Sequence, residues 1–463
     1  PEVLICVLAV LVLVAGRMGW ISGSSRRYLP GVAVAVALVA LAFELTAGAT
    51  LNTYFGGSLV QDRFALFAKL AVLLAVTIGL ATADWTAEES PAIGVAMPLL
   101  ATLGVMVVAS AGDLFALWAG LELAAAAGVV MVSLRRPELA LRLLVTGGLA
   151  STLTLLGFAF LYASTGGAGL QAMRGALAGA QVTLPLAIPI LLLLSGLAVR
   201  AGAAPFLGAA QPAGQGASPL GSGLLLGLVA AGSVTVALKL TAAILPVAAT
   251  YSVFLQIIAA VTMLGGGAAA LAARSARARI VFLAAGQVGW LLAGMATHYR
   301  AGTGASLFLL GAFAVAATCG PAAVGRGEGT DQALMGLGSL RPARAAGLAL
   351  AMLSLAGAPP LAGFFGDLAV AAALAQGGHF VLIALGLAGS ALSTAAAIGT
   401  VRLMYLQSPI EEARRGASAA LPAASLLASA GSFALGLVMV AYGLLGNPIF
   451  GLADQGAKAL GLR

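Results

Sequence analysis

Residues 201 to 205 read Ala201-Gly202-Ala203-Ala204-Pro205, and residues 356 to 360 read Ala356-Gly357-Ala358-Pro359-Pro360. The two stretches agree at four of five positions and lie 155 residues apart. Each sits inside a long apolar run. Proline there removes a backbone donor and crowds the preceding turn, so both runs are expected to be helices interrupted at depth. Chance recurrence in an Ala/Gly-rich chain is the alternative, and the scarcity of proline weighs against it: 18 Pro against 62 Gly.

Outward from the two breaks, the chain stays apolar. Of 463 residues, 61% are hydrophobic and 8% charged, where soluble domains carry about 25% charged residues. A mean hydropathy of +1.08 over the whole length excludes a soluble enzyme with one anchor. Windows of about 20 apolar residues divide the chain into roughly fourteen spans. Continuous runs without a dyad pattern exclude a transmembrane barrel. The expected fold is therefore an all-α polytopic membrane protein.

The second break lies five spans after the first. An odd number makes the two surrounding units inverted relative to each other, which is a transporter signature. The expected organisation is a three-helix segment over 1–91 and two inverted five-helix repeats over 92–249 and 250–406. A fourteenth helix and tail follow over 407–463. Basic residues test the count. Fifteen fall in loops after odd-numbered spans, for example Arg135, Arg136 and Arg142, and seven on the opposite side, with Arg200 inside the seventh span. By the positive-inside rule both termini lie outside the cytoplasm.

The net charge of +8 does not point to nucleic acid, because the bases are scattered in twos and threes. Cys6 and Cys319 lie in apolar runs, and His298 and His379 are far apart in sequence. Neither a disulfide framework nor a metal or haem spacing is present. Any redox chemistry is expected on partners.

A charge near the bilayer centre costs about 2.5 to 3.5 kcal/mol, so such a residue is a functional candidate. Four qualify: Glu122 in the fifth span, Arg200 in the seventh, Lys239 in the eighth and Asp367 in the twelfth. Glu122 with Arg200 also reads as a fixed ion pair that only locks helices. Lys239 is near a span end. Asp367 reads either as a carboxyl that loads and releases a proton or as a helix-end carboxylate reaching water. Glu44 and Lys69 lie nearer span ends, where a lysine can snorkel.

Three motifs then become recognisable: Asp113-Leu114-Phe115-Ala116-Leu117-Trp118-Ala119-Gly120-Leu121-Glu122-Leu123, the Ala203-Ala204-Pro205-Phe206 break, and Ser354 through Pro359-Pro360 to Gly366. They resemble the antiporter-like membrane subunits of respiratory complex I, the NADH-quinone oxidoreductase. Pro1-Glu2 and the stretch from Asp62 through Phe67 to Lys69 look most like subunit N. The resemblance implies fourteen helices with two inverted five-helix units, residence in the bacterial cytoplasmic membrane, and a part in proton translocation coupled to quinone reduction. It places FMN, iron–sulfur clusters and quinone on partner subunits, with no cofactor or metal in this chain. The implied partners are a neighbouring antiporter-like subunit, small membrane subunits and lipids.

Residue by residue, the resemblance puts the family glutamate on Glu122 and the seventh-helix lysine on Arg200. The eighth-helix lysine is missing near Ala230 to Gly232, with Lys239 about two turns further on. Gln287 stands where a histidine is common, and Asp367 where a lysine follows Phe-Phe-Gly. These departures leave two readings. One is a proton channel with a rewired relay of Glu122, Arg200, Lys239 and Asp367. The other is a non-conducting scaffold in the antiporter-like position. A subunit of a multi-subunit cation/proton antiporter or membrane-bound hydrogenase has the same fold.

Overall fold

The computed structural model describes residues 1–21, 24–47, 52–85, 90–180, 183–207, 217–324, 330–408 and 423–462. Helices dominate, as the composition requires. In chain order they are α1 (Glu2–Arg17), α2 (Ser24–Ala47), α3 (Arg63–Thr82), α4 (Pro91–Ser110), α5 (Leu114–Ser133), α6 (Pro137–Thr165), α7 (Leu170–Leu177) and α8 (Leu184–Ala201). There follow α9 (Pro219–Ala243), α10 (Ser252–Ala272), α11 (Ala276–Met295), α12 (Arg300–Ala323), α13 (Pro342–Leu355), α14 (Ala362–Gln376), α15 (Phe380–Leu406), α16 (Ala423–Leu444) and α17 (Gly446–Ala459). Among the described residues, twelve helices are long and apolar enough to cross a membrane. The expected twelfth span, which holds the second break and Asp367, is divided there into α13 and α14, each too short to cross alone.

Burial sorts the helices into an inner and an outer set. The membrane-length windows of α9, α11 and α12 are almost wholly covered by other helices. Outer helices such as α2, α6 and α15 instead turn apolar side chains outward, among them Leu141, Leu144 and Val145 of α6. With no apolar driving force between helices in lipid, small residues set the inner packing. Within α9, residues Leu224–Val229 form a π-helical segment. A Cβ on Gly227 would fall 1.9 Å from Thr318 Oγ1 of α12, so only glycine lets this segment lie against α12.

Both expected interruptions are present, with one geometry. Gly202 (φ 75°) and Gly357 (φ 71°) end α8 and α13 in the left-handed region, which glycine enters without a Cβ clash. The following amides turn back alike: Ala203 N to Ala198 O at 2.8 Å, and Ala358 N to Leu353 O at 2.9 Å. These bonds satisfy carbonyls orphaned at the helix ends. The continuation of the first break over 208–216 lies outside the described residues, as do Arg326, Arg414 and Arg415 among the loop bases.

Three short elements were not expected from sequence. A hairpin of β1 (Asn52–Tyr54) and β2 (Leu59–Gln61) pairs Thr53 with Val60. The amphipathic helices α7 and α17 sit at the same end of the molecule. Arg174 of α7 donates to Leu460 O and Gly461 O, both at 2.9 Å. Arg300 pairs with Asp454 of α17, and Arg63 bonds Gln455.

Candidate functional site

Two helix starts orient the polar residues. Asp62 caps α3 by accepting from Ala65 N at 2.8 Å, and Asp113 caps α5 through Ala116 N at 2.8 Å. An N-cap carboxylate satisfies an orphan amide and suits the positive helix end. This gives Asp113 of the recognised motif a structural role.

Glu122, two turns into α5, meets Arg200 in the last turn of α8. Arg200 Nη2 stands 2.6 Å from Glu122 Oε1 and also donates to Gly147 O at 3.2 Å. The arginine side chain is 5% exposed and the glutamate 33%. Glu122 and Arg200 share a cavity of ≈ 360 Å³ with Ala125, Val129, Leu143 and Leu144. A void of ≈ 30 Å³ lies beside Arg200 among Ala230, Val288 and Phe313. Arg200 Nη1 is buried and has no hydrogen-bond partner among the described residues. An arginine keeps its charge at any accessible pH, so it holds a field and relays no proton itself.

Lys239 lies elsewhere. Its ammonium donates to Ala111 O at 2.7 Å and sits 5.5 Å from the Phe64 ring centroid. It is buried, and it borders a cavity of ≈ 470 Å³ together with Asp62, Arg174 and Gly169. The sequence puts Lys239 near a span end and in the relay; in the structure its neighbours are a backbone carbonyl and, near the hairpin, the Asp62 cap.

Asp367 sits in the second turn of α14, just past the second break. Gln287 Nε2 donates to its Oδ1 at 2.7 Å. Ser390, itself bonded by Trp290 Nε1 at 2.9 Å, stands beside the carboxyl. Asp367 is buried and forms no ion pair among the described residues. The carboxyl stands near the start of α14, as the helix-end alternative has it, and is covered by neighbouring helices. Gln287 and Asp367, the two positions that depart from the family pattern in this half, bond each other.

The four candidates thus fall at three places: one ion pair, one lysine beside a cavity and one acid held by neutral groups. Two features escaped the sequence reading. The π segment of α9 looks like ordinary apolar helix in composition. Glu44 and Lys69, placed near span ends and with Lys69 free to snorkel, are both buried instead, and Gln61 of β2 bonds both.

A polytopic helical protein with two interrupted helices and charges at depth belongs to the transporter class of membrane proteins. The family described as NADH:quinone oxidoreductase/Mrp antiporter, TM, matches residues 111–393, and the chain belongs to it. NADH-quinone oxidoreductase subunit N of Erythrobacter litoralis (strain HTCC2594) is 30% identical over 99% of this chain and 97% of its own length. Subunit N 1 of Rhizobium meliloti (strain 1021) is 31% identical over 99% and 96%. Two solved structures share the fold. A chain of respiratory complex I from Thermus thermophilus has a TM-score of 0.80 and 24% identity over 98% of this chain and 99% of that one. A chain of the Mrp complex from Dietzia sp. DQ12-45-1b has a TM-score of 0.82 and 22% identity over 99% and 96%.

Proposed function

We infer that this chain is the subunit N-type, antiporter-like membrane subunit of an NADH-quinone oxidoreductase and contributes to proton translocation coupled to quinone reduction. In this reading it carries no redox group, and flavin, iron–sulfur clusters and quinone belong to partner subunits. Two inverted repeats, 92–249 and 250–406, supply the two breaks, and both termini face away from the cytoplasm of a bacterial cell.

The observation that carries the reading is Asp367: a buried carboxyl beside an unwound turn, held by Gln287 and paired with no base among the described residues. Such a group takes up a proton when the local field favours it and yields it when the field reverses. Glu122 with Arg200 supplies a permanent charge pair that responds to a neighbour, and Lys239 meets the second cavity. Replacing Asp367 by Asn deletes the titratable group and keeps the shape. The proton-to-electron ratio of the reconstituted complex should fall while quinone reduction continues. An unchanged ratio removes Asp367 from the path.

The Glu122–Arg200 pair favours a second reading. A guanidinium locked to a carboxylate suits a scaffold that holds helices together without conducting. On that reading, Glu122→Gln and Asp367→Asn leave pumping per electron unchanged and appear only as loss of the assembled complex.

A further inference from the structure

Asp367 is not the only buried acid that a glutamine holds. Glu44, near the end of α2, is 1% exposed, and Gln61 Nε2 of β2 donates to its Oε1 at 2.8 Å. No base bonds Glu44 among the described residues. The amide oxygen of Gln61 accepts from Lys69 Nζ of α3 at 2.5 Å, and Lys69 also pairs with Glu2 of α1. Glu2 is one-third exposed. Four elements therefore converge on one polar cluster inside an apolar surround.

The charges in this cluster are unevenly shared. Lys69 is matched to Glu2 by direct contact and acts on Glu44 only through space, with Glu2 opposing it, whereas the direct partner of Glu44 is a neutral amide. An ionised carboxylate buried without a paired cation is costly, and a bound proton removes that cost. The placement gives the proton consequences. Gln61 and Asp62 are adjacent: Gln61 bridges the cluster, and Asp62 borders the cavity beside Lys239. Lys239 lies within electrostatic reach of both Asp62 and Lys69. Glu2 is the member through which the cluster meets its surroundings.

We propose that Glu44, Gln61, Lys69 and Glu2 form a second proton-binding cluster beside the Lys239 cavity, with one exchangeable proton on Glu44. The proposal concerns equilibrium proton binding and stands whether or not Asp367 carries a transported proton. Infrared difference spectra of the purified complex in lipid, recorded across a pH change, test it. Glu44→Gln should abolish one protonated-carboxyl band. Glu44→Asp should keep a shifted band, and Gln61→Leu should shift it with Glu44 in place. If Glu44→Gln instead leaves the protonated-carboxyl region of the difference spectrum unchanged, the cluster holds no exchangeable proton there. Should Glu44→Gln not assemble, the other two variants decide: an unmoved protonated-carboxyl region in both overturns the proposal. Asp367→Asn, measured alongside, reports separately on the acid at the second break.

Discussion

The two helix breaks share one backbone and hold opposite chemistry. At the first, Gly202 ends α8 and the adjacent Arg200 is tied to Glu122, with an apolar cavity beside the pair. At the second, Gly357 ends α13 with the same turned-back amide, and the nearby acid, Asp367, is buried and held by Gln287. A guanidinium cannot change its charge, whereas a carboxyl among neutral partners can. The comparison teaches that an interrupted helix is a frame, and that the residue placed on it decides whether the frame holds a field or exchanges a proton.

The largest effect should come from breaking the first break's charge balance. Glu122→Gln leaves Arg200 uncompensated at depth, a loss on the order of 3–5 kcal/mol for a buried pair. The variant complex should show reduced coupled turnover and earlier thermal dissociation. Normal turnover with normal assembly would show that the pair is not needed at this break. Asp367→Asn should be milder in stability, because an amide fills the same space and meets the same neutral neighbours. Its effect belongs to the proton-to-electron ratio, so the two variants together separate field from exchange. Gln287→Leu comes next. Removing the amide strips Asp367 of its donor at 2.7 Å, which costs about 1–3 kcal/mol for a buried polar group. Thermal melting of the isolated complex checks the stability loss, and proton release per electron checks whether the bond is used in turnover.

The two breaks were legible because proline and glycine act locally, through a missing donor and a permitted left-handed turn. Glu122 and Arg200 were legible for a different reason: charges at depth need partners, and these two had few to choose from. What stayed hidden depends on distant chain segments. Lys239 bonds Ala111 O, a backbone atom that no side-chain pattern announces. Glu44 and Lys69 stand near helix ends by count, yet both are buried and bonded by Gln61 of β2, and strands of three residues are too short to show a period. The π segment Leu224–Val229 differs from α-helix only in its hydrogen bonds, which composition does not record. Expected span positions were sound where apolar runs were long. They failed to separate α13 from α14 as two short helices, although the break between them was expected.

The smallest effect, and the one that sharpens the comparison most, is expected from Arg200→Lys. A lysine reaches toward Glu122 and keeps the pair's charge, so the stability change should stay near the surface-pair scale of about 1 kcal/mol or less. It replaces the planar Nη2, whose two hydrogens serve Glu122 Oε1 and Gly147 O, by a tetrahedral ammonium on a shorter side chain. It also introduces a group able to lose its proton, which arginine is not. If the first break serves only as a fixed field, turnover and proton-to-electron ratio should remain near wild type at neutral pH and diverge at alkaline pH, where the lysine begins to discharge and Glu122 loses its counter-charge. Wild type, with a permanent guanidinium, should lack that alkaline limb. Parallel pH profiles of the two complexes decide the point: coincident curves would mean that the permanence of the charge at Arg200 has no bearing on pumping, and the contrast with Asp367 would then rest on burial and partners alone.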